Sequence, residues 1–327
     1  RSKLLLFIFV AAVSLALQPK IAGEETRAVL PPRSNSPPKQ DGNVNYDLVI
    51  RGGRVVDGTG NPWFAADVAV QGDRIELVGR VPAGSGKREI DAKGLVVAPG
   101  FIDMHSHSDW VLLEDGNAHS KIRQGVTTEV LGEGSSAGPW KGKLAPRQVE
   151  VQGESRSIVS LGDYFRAIEE SGVSVNIVSY VGIGNVWEAV MGQSHARPTP
   201  VKIEEMKLPL AEAMDDGAFG LSSQVMMPPG SLATTDEIVE LCGVVRQYGG
   251  IYSTHIRNEG LGVFESIREA IEIGERAGVP VDVLHLKIAD QKFWGRMNEV
   301  VALIDEARRR GVNVQANVYP YTRGNNN

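Results

Sequence analysis

A single cysteine, Cys242, occurs in the 327 residues, so the chain can build no internal disulfide framework and no cysteine-rich metal site. It lies in the run Glu237-Ile238-Val239-Glu240-Leu241-Cys242-Gly243-Val244-Val245, which reads as a helix and marks a buried structural thiol ahead of a nucleophile. Basic residues never gather into a long run. Their one cluster, Arg308-Arg309-Arg310, precedes Gly311 at a predicted helix end, where positive charge complements the helix dipole. With 34 basic against 40 acidic side chains the net charge is −6, and nucleic acid is excluded as an expected partner. The apolar run from Leu4 to Leu17 is short of the roughly 20 residues that a spanning helix needs, so no stable membrane domain is expected once a leader is removed.

That run has another reading. Arg1 and Lys3 precede it, and Ser14 and Ala16 supply small residues near its end. Residues 1–23 therefore have the form of a secretory signal peptide, and the protein is expected to be exported, to a periplasm or outside the cell. An uncleaved anchor is the alternative. Residues 24–45 are rich in Pro, Ser, Lys and Glu, including Pro31-Pro32 and Pro37-Pro38, a composition suited to a disordered linker. The remainder has ordinary globular composition, and its length suits about two domains.

From Tyr46 the pattern becomes periodic. Asp47-Leu48-Val49-Ile50-Arg51-Gly52-Gly53-Arg54-Val55-Val56-Asp57 reads as a strand, a glycine turn and a second strand. Asp67 to Val78 reads as a hairpin about Gly72-Asp73, and Glu89 to Gly94 leads into another strand. Residues 46–97 thus form a small, partial β-sandwich module. Over 98–327 short apolar strands alternate with helical stretches. The strands are Gly100 to Met104, Thr127 to Leu131, Val175 to Val181, Phe219 to Ser222, Ile251 to Thr254, Val281 to Leu284 and Val312 to Val318. The helices are Leu161 to Ser171, Lys202 to Asp216, Asp236 to Tyr248, Val263 to Ala277 and Met297 to Arg310. Repeated β-α units imply an α/β fold with a parallel sheet: a (β/α)8 TIM barrel with about seven strands present. A doubly wound open sheet competes, but no glycine-rich nucleotide loop follows the first strand.

Functional side chains of such a barrel stand at the C-terminal ends of its strands. Strand one ends in His105-Ser106-His107, strand two in Gly132-Glu133, strand five in Thr254-His255 and strand six in Leu284-His285. Four of the chain's six histidines therefore fall at strand ends. Two histidines at i and i+2 on an extended segment face the same side, so both imidazoles can reach one cation, and neutral imidazole suits Zn2+. An H-x-H alone is a weak signal. Joined by His255 and His285 it points to metal binding rather than to four unrelated polar residues. His119 and His195 fit ordinary polar positions.

These segments carry a family likeness. Asp47 to Gly53, Asp57-Gly58-Thr59-Gly60-Asn61-Pro62, Ala98-Pro99-Gly100-Phe101-Ile102-Asp103, Gln124-Gly125-Val126-Thr127-Thr128, Gly220-Leu221-Ser222-Ser223, Tyr252 to Arg257 and Val318-Tyr319-Pro320-Tyr321-Thr322 jointly resemble the amidohydrolase superfamily. Within it they are similar to the D-aminoacylase, or N-acyl-D-amino-acid deacylase, family. The resemblance implies a metal-dependent hydrolase that splits the amide of a small N-acylated D-amino acid with a metal-activated water. One or two zinc ions are implied, with His105 and His107 at one position and His255 and His285 at the other. Asp103 is expected to orient the metal ligands, and Asp109, just past the H-x-H, to support them.

Two departures qualify it. The family often has a cysteine after strand two, where this chain reads Gly132-Glu133-Gly134-Ser135-Ser136. Glu133 is therefore expected to supply the anionic ligand and to bridge two metals, since strand four, at Leu221-Ser222-Ser223, offers no lysine for a carbamate bridge. The alternative is that Glu133 merely supports the site or faces solvent. Relatives often carry Gly-His-Gly after strand three, where this chain has Gly182-Ile183-Gly184. Lys287 and Arg257 remain as candidate cations for a substrate carboxylate, or as salt-bridged surface residues. Tyr319 or Tyr321 either polarises the scissile carbonyl or only packs. The family's proton-transferring aspartate follows an eighth strand, expected past Asn327, so the chain as given is expected to be a C-terminally truncated fragment with little activity. Rival readings are a dihydroorotase- or hydantoinase-like cyclic amidase, an isoaspartyl dipeptidase-like enzyme, and a secreted metal-binding protein without catalysis.

Overall fold

The computed structural model describes residues 8–10 and 45–323, and the remaining parts of the expected leader and linker lie outside the described residues. The chain divides into two compact units, with the boundary between Phe101 and Ile102.

The first unit is a mixed six-stranded sheet. Its strands run in the order Ile8–Val10, Val96–Pro99, Tyr46–Val55, Phe64–Gln71 and Arg74–Gly79, with Gly86–Asp91 also paired to Tyr46–Val55. Alternation along the strands gives each face its own core. Ile50, Val55, Val68, Val70, Ala92 and Val97 pack on one face, and Tyr46, Val49, Ala69 and Val81 on the other. The expected turn at Gly52-Gly53 is absent. Tyr46–Val55 is a single strand whose register against Phe64–Gln71 shifts between Ile50 and Gly53. Gly52 takes the positive φ of +65° that such a bulge requires, and a Cβ on Gly53 would lie 2.4 Å from Val97 Cγ2. The two glycines therefore bend a continuous strand where sequence reading expected a reversal.

Among the described residues, the second unit holds seven staves in chain order, the third of them in two pieces. Phe101–Asp103, Val126–Leu131 and Asn176–Ser179 neighbour one another, and Val181–Gly182, Gly220–Gln224, Ile251–His255, Val281–Val283 and Val314–Ala316 follow. The third stave is interrupted at Tyr180, but Tyr180 N–H still donates to Leu131 O at 2.9 Å and Phe219 N–H to Ser179 O at 2.9 Å. Pairing is parallel from Val126–Leu131 onward. A doubly wound sheet reverses its strand order at a switch point, and this monotonic order does not. The order is that of a (β/α)8 barrel.

The helices form where the sequence places apolar stripes and caps. In Val263–Ala277, residues Val263, Ile267, Ala270, Ile271 and Gly274 are buried at three- and four-residue spacing. Capping boxes open two others: Ser160 with Asp163 starts Leu161–Ser171, and Thr234 with Glu237 starts Thr235–Gln247. Pro200–Asp215 and Met297–Arg309 complete the expected set. Two features were not foreseen. The helix Ile183–Met191 begins directly after the third stave, and Arg147–Val151 with Glu154–Ile158 forms an antiparallel hairpin. No helix among the described residues is long and apolar enough to cross a membrane.

Candidate metal centre

The C-terminal stave ends bring five side chains together. His105 and His107 follow the first stave, Glu133 the second, His255 ends the fifth, and His285 follows the sixth. Glu133, whose side chain is 5% exposed, stands at their centre. Its Oε2 lies 2.8 Å from His105 Nε2 and 3.1 Å from His107 Nε2. Its Oε1 lies 3.1 Å from His255 Nδ1 and 3.4 Å from His285 Nε2. The alternation expected of the H-x-H is realised, with the two Nε2 atoms 3.1 Å apart. Two ligand triads result, His105-His107-Glu133 and Glu133-His255-His285, sharing one carboxylate.

The electrostatics of this cluster call for a cation. Burial opposes ionisation of Glu133, but bonds from all four histidines outweigh it and hold its carboxyl far below the usual range. Burial likewise pulls His285 down, yet Glu133 and Glu259 override it and raise its pKa to about 9. Bonding to Glu133 raises His107 as well. Four imidazolium rings around one carboxylate would repel one another, and His105 and His285 already lie with ring centroids 4.9 Å apart. His255 Nε2 is buried without a hydrogen-bond partner among the described residues. Neutral imidazoles on a divalent cation remove that repulsion, so the donor set fits a metal of the zinc class.

Support comes from residues that sequence reading did not single out. Glu259 is buried, and its Oε1 lies 3.1 Å from His285 Nδ1 and 3.6 Å from His255 Nε2. The shorter of these contacts leaves His285 Nε2 facing Glu133. Burial alone would raise the Glu259 carboxyl, but His285 and Lys287 hold it below its ordinary value. An acid four residues after a strand-end histidine was the available signal, hidden in the polar run Arg257-Asn258-Glu259-Gly260. Asn317 holds His285 in its left-handed backbone, φ +37°. Its Oδ1 accepts the His285 N–H at 2.8 Å while its Nδ2 donates to Asp282 at 3.1 Å.

The expected substrate cations fare differently. Lys287 Nζ donates to Glu259 and lies 3.0 Å from His285 Nδ1, so it borders the cluster. The Tyr319 ring lies 5.9 Å from that ammonium. Arg257 is not brought in. Its guanidinium is held by Glu269, at 2.8 and 2.9 Å, and by the carbonyls of Ser231 and Ala233. Tyr321 is exposed. Asp103 accepts the His105 N–H at 3.2 Å, and Asp109 is buried two residues past His107.

Comparison with known proteins bears directly on this arrangement. The sequence model of the amidohydrolase family matches residues 88–156. D-aminoacylase of Alcaligenes xylosoxydans xylosoxydans is 37% identical over 288 residues, which cover 87% of this chain and 59% of the relative. The crystal structure of a D-aminoacylase superposes with a TM-score of 0.77 at 37% identity, covering 84% of this chain and 59% of that one. The chain is similar to amidohydrolases in sequence and in fold. A second solved structure, the N-acyl-D-glutamate deacylase from Bordetella bronchiseptica complexed with zinc and a phosphonate inhibitor, gives a TM-score of 0.78 at 34% identity, covering 85% of this chain and 59% of that one. The chain thus spans about three fifths of the length of the relatives it matches.

Proposed function

We propose that this chain carries the metal centre of a zinc-dependent enzyme that hydrolyses the amide of N-acyl-D-amino acids, releasing a carboxylate and a D-amino acid. One observation carries the reading: two histidine pairs from three stave ends converge on the single carboxylate of Glu133, which follows a fourth. The names of the relatives and the zinc–phosphonate complex of one of them support the choice of reaction. Bound between these residues, zinc would supply Lewis acidity toward the amide carbonyl and acidify a water.

The protein's own residues have distinct tasks in this reading. His105, His107, His255, His285 and Glu133 hold one or two ions. Glu259 fixes which nitrogen of His285 faces the centre. Lys287 has three donors, of which Glu259 and the His285 backbone carbonyl engage two, so one remains for the carboxylate of the substrate beside Tyr319. Arg257 serves the fold through Glu269.

Zinc titration of chelator-treated protein, followed by assay, tests the proposal. Uptake of one or two ions is expected, with Glu133→Ala removing most of it. Whatever turnover the chain shows is expected to favour N-acetyl-D-amino acids over cyclic ureides and β-aspartyl dipeptides. No zinc uptake, or the reverse substrate preference, would reject it. The proposal extends to location. The basic and apolar pattern of the first residues supports export, which fractionation of expressing cells, with N-terminal sequencing of the exported protein, would check.

A further inference from the structure

The H-x-H segment has two faces, and only one looks at Glu133. His105 and His107 face the centre, while Ser106 between them faces away into the protein. Its hydroxyl donates to Glu129 Oε2 at 2.5 Å and lies 2.8 Å from Ser108 Oγ. Glu129 is fully buried on the second stave, and its other oxygen, Oε1, has no hydrogen-bond partner among the described residues. A carboxylate in that position requires a cation. Among the described residues it has one within ion-pair distance, Lys121 Nζ at 3.5 Å.

Lys121 does more than offset that charge. It stands on the four-residue helix His119–Ile122, and its ammonium is three-quarters buried. The same nitrogen donates to Asp103 Oδ2 at 2.6 Å and to Ser106 Oγ at 3.1 Å. Asp103, through its other oxygen, accepts the backbone N–H of His105. One ammonium therefore grips the H-x-H segment at both ends of its first residue pair, at His105 through Asp103 and at Ser106 directly. The second triad has separate supports, Asn317 beneath His285 and Glu259 beside both rings. The first has less of its own, because the His107 side chain is 61% exposed.

We propose that Lys121 is the positioning residue of the His105–His107 half of the centre: it holds the segment through Asp103 and the Ser106–Glu129 pair and sets where the two imidazoles point. It touches neither metal nor substrate. The consequence is selective. Loss of Lys121 should loosen the first triad and leave the second intact. The inference rests on the metal reading above for its binding readout but not for its structural one.

The test uses the full chain with cobalt(II) as a spectroscopic probe, comparing Lys121→Met, Lys121→Arg and Ser106→Ala with the unaltered protein. Lys121→Met should weaken cobalt at the first triad by roughly 10- to 100-fold, the usual effect of removing a ligand's supporting partner, and should diminish its visible absorption. Lys121→Arg should restore most of this, and Ser106→Ala should show a smaller loss in the same direction. In a His107→Ala background, where only the second triad remains, adding Lys121→Met should change nothing. Backbone amide exchange in the metal-free protein should accelerate over residues 103–108 and stay unchanged over residues 251–255. Equal weakening in the His107→Ala background, or unchanged cobalt affinity with unchanged exchange, would overturn the proposal. If the unaltered protein binds no cation, the metal reading fails while amide exchange still decides the role of Lys121. If Lys121→Met does not fold, Ser106→Ala decides: full affinity and unchanged exchange there overturn it.

Discussion

Asp109→Asn should stabilise the protein, and only at pH values where the carboxyl is ionised. Asp109 is 8% exposed, and its Oδ1 has no hydrogen-bond partner among the described residues. Tyr164 donates to its backbone carbonyl at 2.6 Å and leaves the carboxylate alone. Burial pushes its pKa from 3.8 to about 6, and Glu129 adds to the rise, while a backbone bond and the charges of His107 and Arg147 only partly oppose it. The folded value lies above the unfolded one, so the fold favours the protonated form. Below about pH 4 the carboxyl therefore costs nothing, the cost develops as pH rises through the interval from 3.8 to about 6, and it is complete above. Two pKa units correspond to about 3 kcal/mol. Asparagine keeps the shape without the charge. Urea unfolding of metal-free protein should show the variant more stable by about 2–3 kcal/mol near pH 8, with the advantage nearly gone near pH 4. An advantage that does not depend on pH, or a loss at pH 8, would refute the reasoning.

Further outcomes follow from the same geometry. Glu259→Gln should weaken zinc binding by about 10- to 100-fold, read by competition with a chromophoric chelator, because Glu259 orients the His285 imidazole of the second triad. Arg257→Met should leave zinc uptake unchanged and lower the unfolding free energy by about 1–3 kcal/mol, since it strips partners from Glu269 and from two loop carbonyls. Metal-free protein should lose stability as pH rises from about 6.5 through about 9. His285 is raised in the fold, so its contribution is fully present below its unfolded pKa and vanishes above its folded one, and thermal melts with and without zinc would expose this. At free zinc about 1,000-fold above the dissociation constant, melts should report roughly 4 kcal/mol of added stability.

The staves and the histidines were legible in the sequence because both depend on local pattern. Short apolar runs separated by helical stretches give a parallel order, and histidines just past those runs sit at one rim. Glu133 was reached by elimination, as the acid left where other ligands were missing, and the structure sets its carboxylate among all four rings. What stayed hidden depends on partners far apart in sequence. Glu259 sits in a polar run that reads as a loop, and only the fold turns it toward His285. Arg257 next to a ligand histidine looked like a substrate cation, but Glu269 on the following helix claims it. Lys121 lies among ordinary polar neighbours, and nothing local reveals that the buried Glu129 and Asp103 converge on it. The run Gly182-Ile183-Gly184-Asn185 is poor in strong helix formers, yet a helix starts there, and its Asn185 accepts bonds from Ser135 and Ser136 of a loop far off in sequence.

The one carboxylate shared by two triads makes their occupancies thermodynamically linked. Glu133 presents Oε2 to the first pair of histidines and Oε1 to the second, so both positions draw on one negative charge. A cation on one side withdraws electron density from the other and repels a second arrival. Linkage is reciprocal, so whatever penalty the first ion imposes on the second, the second imposes on the first. Ion content would then track free zinc in two separated steps, and the population of singly loaded molecules would be broad. The environment's zinc level, rather than the protein alone, would set how many ions the centre carries.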